Sequence, residues 1–264
     1  MSESSRKESC TVPDYNMEMD DYKLNRFNDA GRLLREDLRR WLASSVAIAA
    51  TGDASFSDDG EMTPSQLIEM AQRKLKPAAV LVLLINRAAD ADDAGPQVLF
   101  TQRTAHLTDH AGQISFPGGR VEDSDRDAVH TALRETEEET GVDSTRIEII
   151  GSLPNYTTGT GYLITPVVGW IEPPIIYAPD PIEVAECFEV PFNFLINPAN
   201  HRLETAMYKG RLRSYYAMPY AGAAGGRYIW GATAGMLVTL TRVIAHARGL
   251  AVQPVMPSAR DSGE

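Results

Sequence analysis

A chain of 264 residues can hold one large domain or two small ones, and a hydrophobic share of 43% is ample for a buried core. A formal charge of −11 excludes a broad basic footprint for nucleic acid or an anionic membrane surface, so an anionic substrate has to meet a few local cations or a bound metal. Cys10 and Cys187 can build neither a disulfide framework nor zinc-ligand spacing, and no apolar run reaches the roughly 18 residues of a membrane span; a cytoplasmic protein without a secretion signal is expected.

Residues 1–20, dominated by Ser, Glu, Asp and Lys, read as a disordered tail. Leu33, Leu34, Leu38 and Trp41 recur at helical spacing and predict an amphipathic helix within residues 28–43. Residues 49–61 read as a linker, and Thr63-Pro64 opens a second short helix to about Arg73, with proline in the first turn. Residues 21–75 are therefore expected to be a helical N-terminal extension and linker. From residue 76 the pattern turns to strands. Ala78–Ile85 is nearly all apolar, as a strand buried on both faces would be, and a polar turn over Arg87–Gly95 leads into Gln97–Arg103. Gln113–Phe116, Ile147–Leu153, Tyr162–Ile171 and Glu183–Val190 follow as strands, Leu203–Met218 as a hairpin, and Gly231–Arg248 as a closing helix. Strands mixed with few helices predict an α+β layered domain over residues 76–250, followed by a disordered tail over 251–264.

Phe116-Pro117-Gly118-Gly119 stands between a strand and a helix expected from about Asp125 to Thr140. Ser124 is the expected cap, Asp127 completes an S-x-x-D box, and Gly141 suits the left-handed residue that ends the helix. Val129, Ala132, Leu133 and Thr136 fall at i, i+3, i+4 and i+7 and predict the core-facing stripe. At about 100° per residue, Glu135, Glu138 and Glu139 gather on another face. Such carboxylates repel by roughly a few tenths of a kcal/mol per pair, a penalty that a hard divalent cation reverses. Glutamate is also a good helix former, and Glu-rich solvated faces are common, so the triplet alone is balanced between surface and site. The double glycine tips that balance, because a tight backbone turn there lets main-chain groups approach a metal or a phosphate.

The run Arg134-Glu135-Thr136-Glu137-Glu138-Glu139-Thr140-Gly141-Val142 resembles the Nudix signature, in which a glycine and a spacer precede R-E-x-x-E-E-x-G and an apolar residue. Counted from Gly119, Arg134 comes one residue later than in the general pattern, and Arg126 stands where a glutamate is frequent. The longer spacer is similar to the coenzyme A diphosphatase branch of that family. So is the segment LFTQRTAHLTDHAGQISFPGG, with Leu99, Thr101, Arg103, Gly112 and Phe116 to Gly119 in matching places. Phe100, Thr104 and Thr108 depart from the branch, the last replacing an arginine; weaker likeness continues over 183–191 and 229–233.

The resemblance implies a Nudix-like α/β/α sandwich with a mixed sheet, and metal-dependent attack of water on a diphosphate. It implies Mg²⁺ or Mn²⁺ on Glu135, Glu138 and Glu139, with the Gly119 carbonyl as a further ligand. Arg134 takes the place of an orienting arginine, and Glu138 or Glu183 that of the water's proton acceptor. Arg103 and Arg120 are candidate diphosphate clamps, Gly118 lies beside the substrate, His106 and His110 are further candidates for contact, and Trp230 is expected to pack on the closing helix. The implied partner is a small nucleoside diphosphate derivative, with no nucleic acid or membrane and with a homodimer left open. Coenzyme A or an acyl-coenzyme A, cut to 3′,5′-ADP and 4′-phosphopantetheine, is the leading substrate. ADP-ribose or NADH is the alternative within the enzyme class, and a catalytically silent nucleotide sensor the alternative outside it.

Overall fold

The structure, a computed structural model, describes residues 34–43, 56–57, 74–87, 95–106, 112–208, 211–222 and 225–250. Both expected tails, the Thr63-Pro64 helix, Leu33, Thr108, His110 and most of the linker and of the Arg87–Gly95 turn lie outside these residues.

The longest apolar run organises the rest. It forms β2 (Lys76–Ile85), which pairs in parallel with all of β8 (Tyr162–Ile171). Along its other edge β2 meets two strands in turn: β5 (Gly118–Arg120) beside Ala78 to Val80, and β3 (Gln97–Arg103) beside Leu84 and Ile85. Beyond that contact β3 runs with β4 (Ile114–Ser115) and with β9 (Val184–Pro191). On the far side β8 carries β6 (Glu148–Ser152) and β7 (Tyr156–Thr157), and β1 (Phe56–Ser57), inside the expected linker, pairs in parallel with β7.

Alternation along β2 separates two cores, as successive strand side chains point to opposite faces. Val82 and Leu84 join Phe100, Trp170 and Phe192 on one face, beneath the buried helix α4 (Ala232–Ala247) and helix α1 (34–43). Ala79, Leu81, Leu83 and Ile85 join Leu99 and Val167 on the other, beneath helix α2 (Ala128–Thr140). Helices on both faces of a mixed sheet make the expected α/β/α sandwich. The short helix α3 (Phe192–Leu195) follows β9. Leu34, Leu38 and Leu42 of α1 are buried in the first core, and a side chain at Gly151 of β6 would collide with Leu42. Arg35 and Arg39 both reach Glu148, so the helix is pinned to β6. Among the described residues no helix is long and apolar enough to cross a membrane.

Five expectations change. Gly118 and Gly119 belong to strand β5, not to a turn. Helix α2 begins later than expected: Asp127, not Ser124, is its cap, accepting from the His130 amide at 2.8 Å. Its buried face consists of Thr131, Ala132, Thr136, Glu139 and Thr140, with Val129 and Leu133 only partly covered. Thr136 is in the expected stripe, whereas Thr131 and Thr140 are additions to it; Thr136 and Thr140 donate their hydroxyls to the carbonyls of Ala132 and Thr136 at 2.6 Å, which removes most of the penalty for burying them. Finally, the hairpin gains a strand: β10 (Arg202–Tyr208), β11 (Arg211–Gly222) and β12 (Gly225–Trp230) form a separate antiparallel sheet. Trp230 is 39% exposed there and meets the Tyr215 ring edge-on, so it does not pack on the closing helix in the expected way.

Candidate active site

The site forms where β2 exchanges β3 for β5. A Cβ at Gly119 would overlap the Glu135 carboxylate, and one at Gly118 would strike the backbone of Ala79 and Val80. The glycines therefore let the helix carboxylates lie directly on strand backbone. The Gly118 amide donates to Glu139 Oε2 at 3.4 Å, and Leu81 N to the Pro117 carbonyl at 2.9 Å holds the approach to β5 in place.

The segment after α2 positions the fourth acid. Gly141, at φ 71°, ends the helix, and a Cβ there would collide with Ala178. Ala178 N and Asp180 N then donate to the carbonyls of Thr140 and Glu139, and Glu183 N to the Asp180 carbonyl. Thr104, just beyond β3, closes the arrangement: its amide donates to the Glu183 carbonyl at 2.9 Å and its hydroxyl to the Ile182 carbonyl at 3.0 Å. Arg103 consequently stands between two acids, 3.7 Å from Glu139 Oε1 and 4.0 Å from Glu183 Oε2.

Electrostatics distinguish the carboxylates. Glu139 is 5% exposed, and burial pushes its pKa up to about 8, with the charges of Glu135 and Glu183 adding and Arg103 and the Gly118 amide opposing. Burial also raises Glu135, against the pull of Arg134. Glu138 points outward, its side chain 58% exposed, and accepts from Arg134 NH1 at 2.9 Å. The same NH1 lies 3.0 Å from Glu135 Oε1.

Arg134 is held from behind by Asp125, which the sequence reading passed over in favour of position 126. Its Nε and NH2 donate to the two Asp125 oxygens at 3.1 and 3.0 Å, and NH2 also reaches the Arg120 carbonyl at 3.3 Å. The Asp125 side chain is 0% exposed and accepts further bonds from the Thr131 hydroxyl and the Glu122 amide, with His130 Nδ1 at 2.8 Å. The Arg134 guanidinium, foremost among these partners, holds Asp125 well below the usual carboxylate range. Its signal in the sequence is an acid one position before Arg126.

The remaining candidates separate from this group. The Arg120 guanidinium turns away and donates to the Tyr162 hydroxyl at 2.9 and 2.6 Å. His106 is exposed, with Nε2 3.5 Å from the Thr104 hydroxyl. An open hollow outside α2, bounded by Arg126, His130, Arg134 and Glu138, reaches the site through the last two. Among the described residues no three potential ligands converge on one metal-sized point, since Glu138 is drawn to Arg134. The donor set nevertheless suits a small hard divalent cation: two covered carboxylates with raised proton affinity, a third, Glu138, joined to one of them through Arg134, and strand backbone alongside.

The NUDIX domain model matches residues 75–193. The chain is 36% identical over 162 residues to the Nudix hydrolase NudL of Escherichia coli strain K12, a match covering 61% of this chain and 79% of that protein. Among solved structures, a NUDIX hydrolase from Alicyclobacillus acidocaldarius is similar at 17% identity and a TM-score of 0.39, over 69% of this chain and 100% of that one. A C. elegans Ap4A hydrolase is similar at 19% identity and a TM-score of 0.35, over 44% of this chain and 80% of that one. The chain belongs to the Nudix hydrolase family, enzymes that act on nucleoside diphosphate derivatives and generally use divalent metal ions.

Proposed function

We propose that the chain hydrolyses coenzyme A or a short acyl-coenzyme A at its diphosphate, to 3′,5′-ADP and a 4′-phosphopantetheine product. One observation carries the hydrolytic reading: Glu135 and Glu139 are pressed against the backbone of Gly118 and Gly119, and burial holds Glu139 above its ordinary range in spite of Arg103. Arg134 and Arg103 offset part of the cost of burying these carboxylates, and a metal cation would offset the rest. Mg²⁺ or Mn²⁺ on Glu135, Glu138, Glu139 and the Gly119 carbonyl would activate water and neutralise charge on the leaving phosphate.

The chain's own residues supply the rest. Asp125 fixes the Arg134 fork, and Arg134 in turn aims Glu135 and Glu138. Glu183 or Glu138 takes the proton of the attacking water as the new P–O bond forms and the bridging P–O bond breaks. Arg103, poised between Glu139 and Glu183, is the clamp for the diphosphate oxygens. The coenzyme A assignment is supported by the long spacer and by the pattern from Leu99 to Gly119, which places Arg103 at this point.

The test is a Mg²⁺ and Mn²⁺ screen against coenzyme A, acetyl-coenzyme A, ADP-ribose and NADH, with products identified by mass. Release of 3′,5′-ADP is expected. Faster cleavage of ADP-ribose or NADH would overturn the coenzyme A assignment, and binding without turnover of any diphosphate would make the chain a sensor.

A further inference from the structure

Lys76, Arg120 and Tyr162 lie on the other face of the sheet from the carboxylates. In the β2–β5 register Gly119 faces Ala79, whose side chain belongs to the α2 core, so Arg120, opposite Ala78, leaves the strand on the opposite face. There it meets Tyr162, which is opposite Lys76 across β2 and β8. The guanidinium is bonded to the phenol oxygen through Nε and NH2, and Arg120 Cζ and Lys76 Nζ lie 5.5 and 5.8 Å from the Tyr162 ring centre.

The turn before Tyr162 adds to this cluster. Lys76 N donates to the Gly161 carbonyl at 2.9 Å, Thr158 and Thr160 join hydroxyls at 3.0 Å, and Tyr162 N donates to the Thr158 hydroxyl at 3.0 Å. From the second sheet Arg213 reaches over the same turn, so that a Cβ at Gly159 would collide with its guanidinium. Two cations thus share the Tyr162 ring, and a third lies over the hydroxyl-rich turn that leads into it, in a chain carrying −11. Among the described residues neither Lys76 nor Arg120 has a carboxylate within ion-pair distance. Cations gathered on one aromatic ring without a counter-charge repel one another, and an anion between them removes that repulsion.

We propose that Lys76, Arg120 and Arg213, arranged by Tyr162 and the Thr158–Gly161 turn, form a subsite for a phosphate monoester, the one borne by the ribose of the substrate and not cleaved. Arg120 immediately follows Gly119, and β5 pairs with β2 alone, its other edge being met by the side chains of Glu139 and Arg134, so a ribose lying along that edge would place its diphosphate on the carboxylate face and its second phosphate on this one. The subsite supplies cations that the chain lacks at Thr108. It deepens the proposed function and rests on the substrate being a nucleoside diphosphate derivative.

Calorimetric titration of the full chain with 3′,5′-ADP, 5′-AMP and inorganic phosphate tests the subsite without turnover. The wild type should bind 3′,5′-ADP about tenfold or more tightly than 5′-AMP, one charge-assisted contact being worth at least that factor. Lys76→Ala and Arg213→Ala should each erode the preference. Tyr162→Phe, which keeps the ring but loses the oxygen that holds Arg120, should erode it partly. Equal binding of the two nucleotides by the wild type would overturn the subsite, as would a preference that survives in Lys76→Ala combined with Arg213→Ala. Inorganic phosphate that binds as tightly as 3′,5′-ADP would instead mark a site for the free ion and overturn it too. A preference for 3′,5′-ADP in a chain that fails to cleave coenzyme A would uphold the subsite while removing the proposed activity.

Discussion

Replacing Gly119 with alanine tests the site through its tightest contact. A Cβ there would stand 2.5 Å from Glu135 Cδ, whereas ordinary contact begins at 3.4 Å, so the carboxylate must retreat by about 1 Å. It can do so, being the end of a flexible side chain, and Gly119 does not occupy a left-handed conformation. Gly→Ala also lowers the entropy of the unfolded chain, worth about 0.4–1 kcal/mol in favour of the folded state. Thermal stability without metal should therefore change little. Turnover should fall about 100-fold, the usual cost of a 1 Å misplacement in a reacting constellation. The assay is the initial rate on the best diphosphate substrate against Mg²⁺ concentration, paired with thermal unfolding in a chelator. Activity within about threefold of wild type, with an unaltered metal dependence, would refute the role of Glu135 and of the Gly119 backbone.

Asp125→Asn should reduce kcat roughly tenfold or more by loosening Arg134. Because the folded-state pKa of Asp125 is depressed, its contribution to stability is present above about pH 4 and is lost as pH falls further; urea unfolding from pH 7 to pH 3 should show a shallower acid loss in the variant than in wild type. Glu138→Gln and Glu139→Gln should each lower turnover by about two orders of magnitude or more, with circular dichroism unchanged. Glu139→Gln should not destabilise the metal-free protein at pH 8 to 9, since the charge it removes is buried. A fragment beginning at Lys76 loses the burial of Leu34, Leu38 and Leu42, about 1.5–3 kcal/mol each, and should be markedly less stable in urea; equal stability would show α1 to be an appendage.

Much of the sandwich was legible because the burial of β2, β3 and β8 is written in the chemical type of their residues. Ala78–Ile85 and Tyr162–Ile171 are apolar over the length of the strands they form, and the Arg134–Gly141 run fixes its helix by spacing and by a glycine at its end. What escaped was encoded in hydrogen bonds that side chains make once the helix has formed. Thr140 looks polar until its hydroxyl is seen bonded back to its own helix, and Asp125 looks like one more acid in a loop until Arg134 folds back on it. The composition of Gly118-Gly119 does not distinguish a turn from a strand; only the pairing with Ala79 and Val80 does. Arg120 and Lys76 are 44 residues apart in number and share Tyr162 only because β2 lies between β5 and β8.

The glycine pair also constrains how such a site can diversify. Where Gly118 and Gly119 form the floor, the substrate would meet main chain; a Cβ at Gly118 would strike strand backbone, and one at Gly119 would displace Glu135, so neither position can take a side chain and keep the site intact. Discrimination between one nucleotide and another cannot be written into that floor. It has to come from the walls, from Arg103 and Glu183 on one side and from the turn before Tyr162 on the other, so the hydrolytic floor can stay fixed while the clientele changes through residues that never touch the metal.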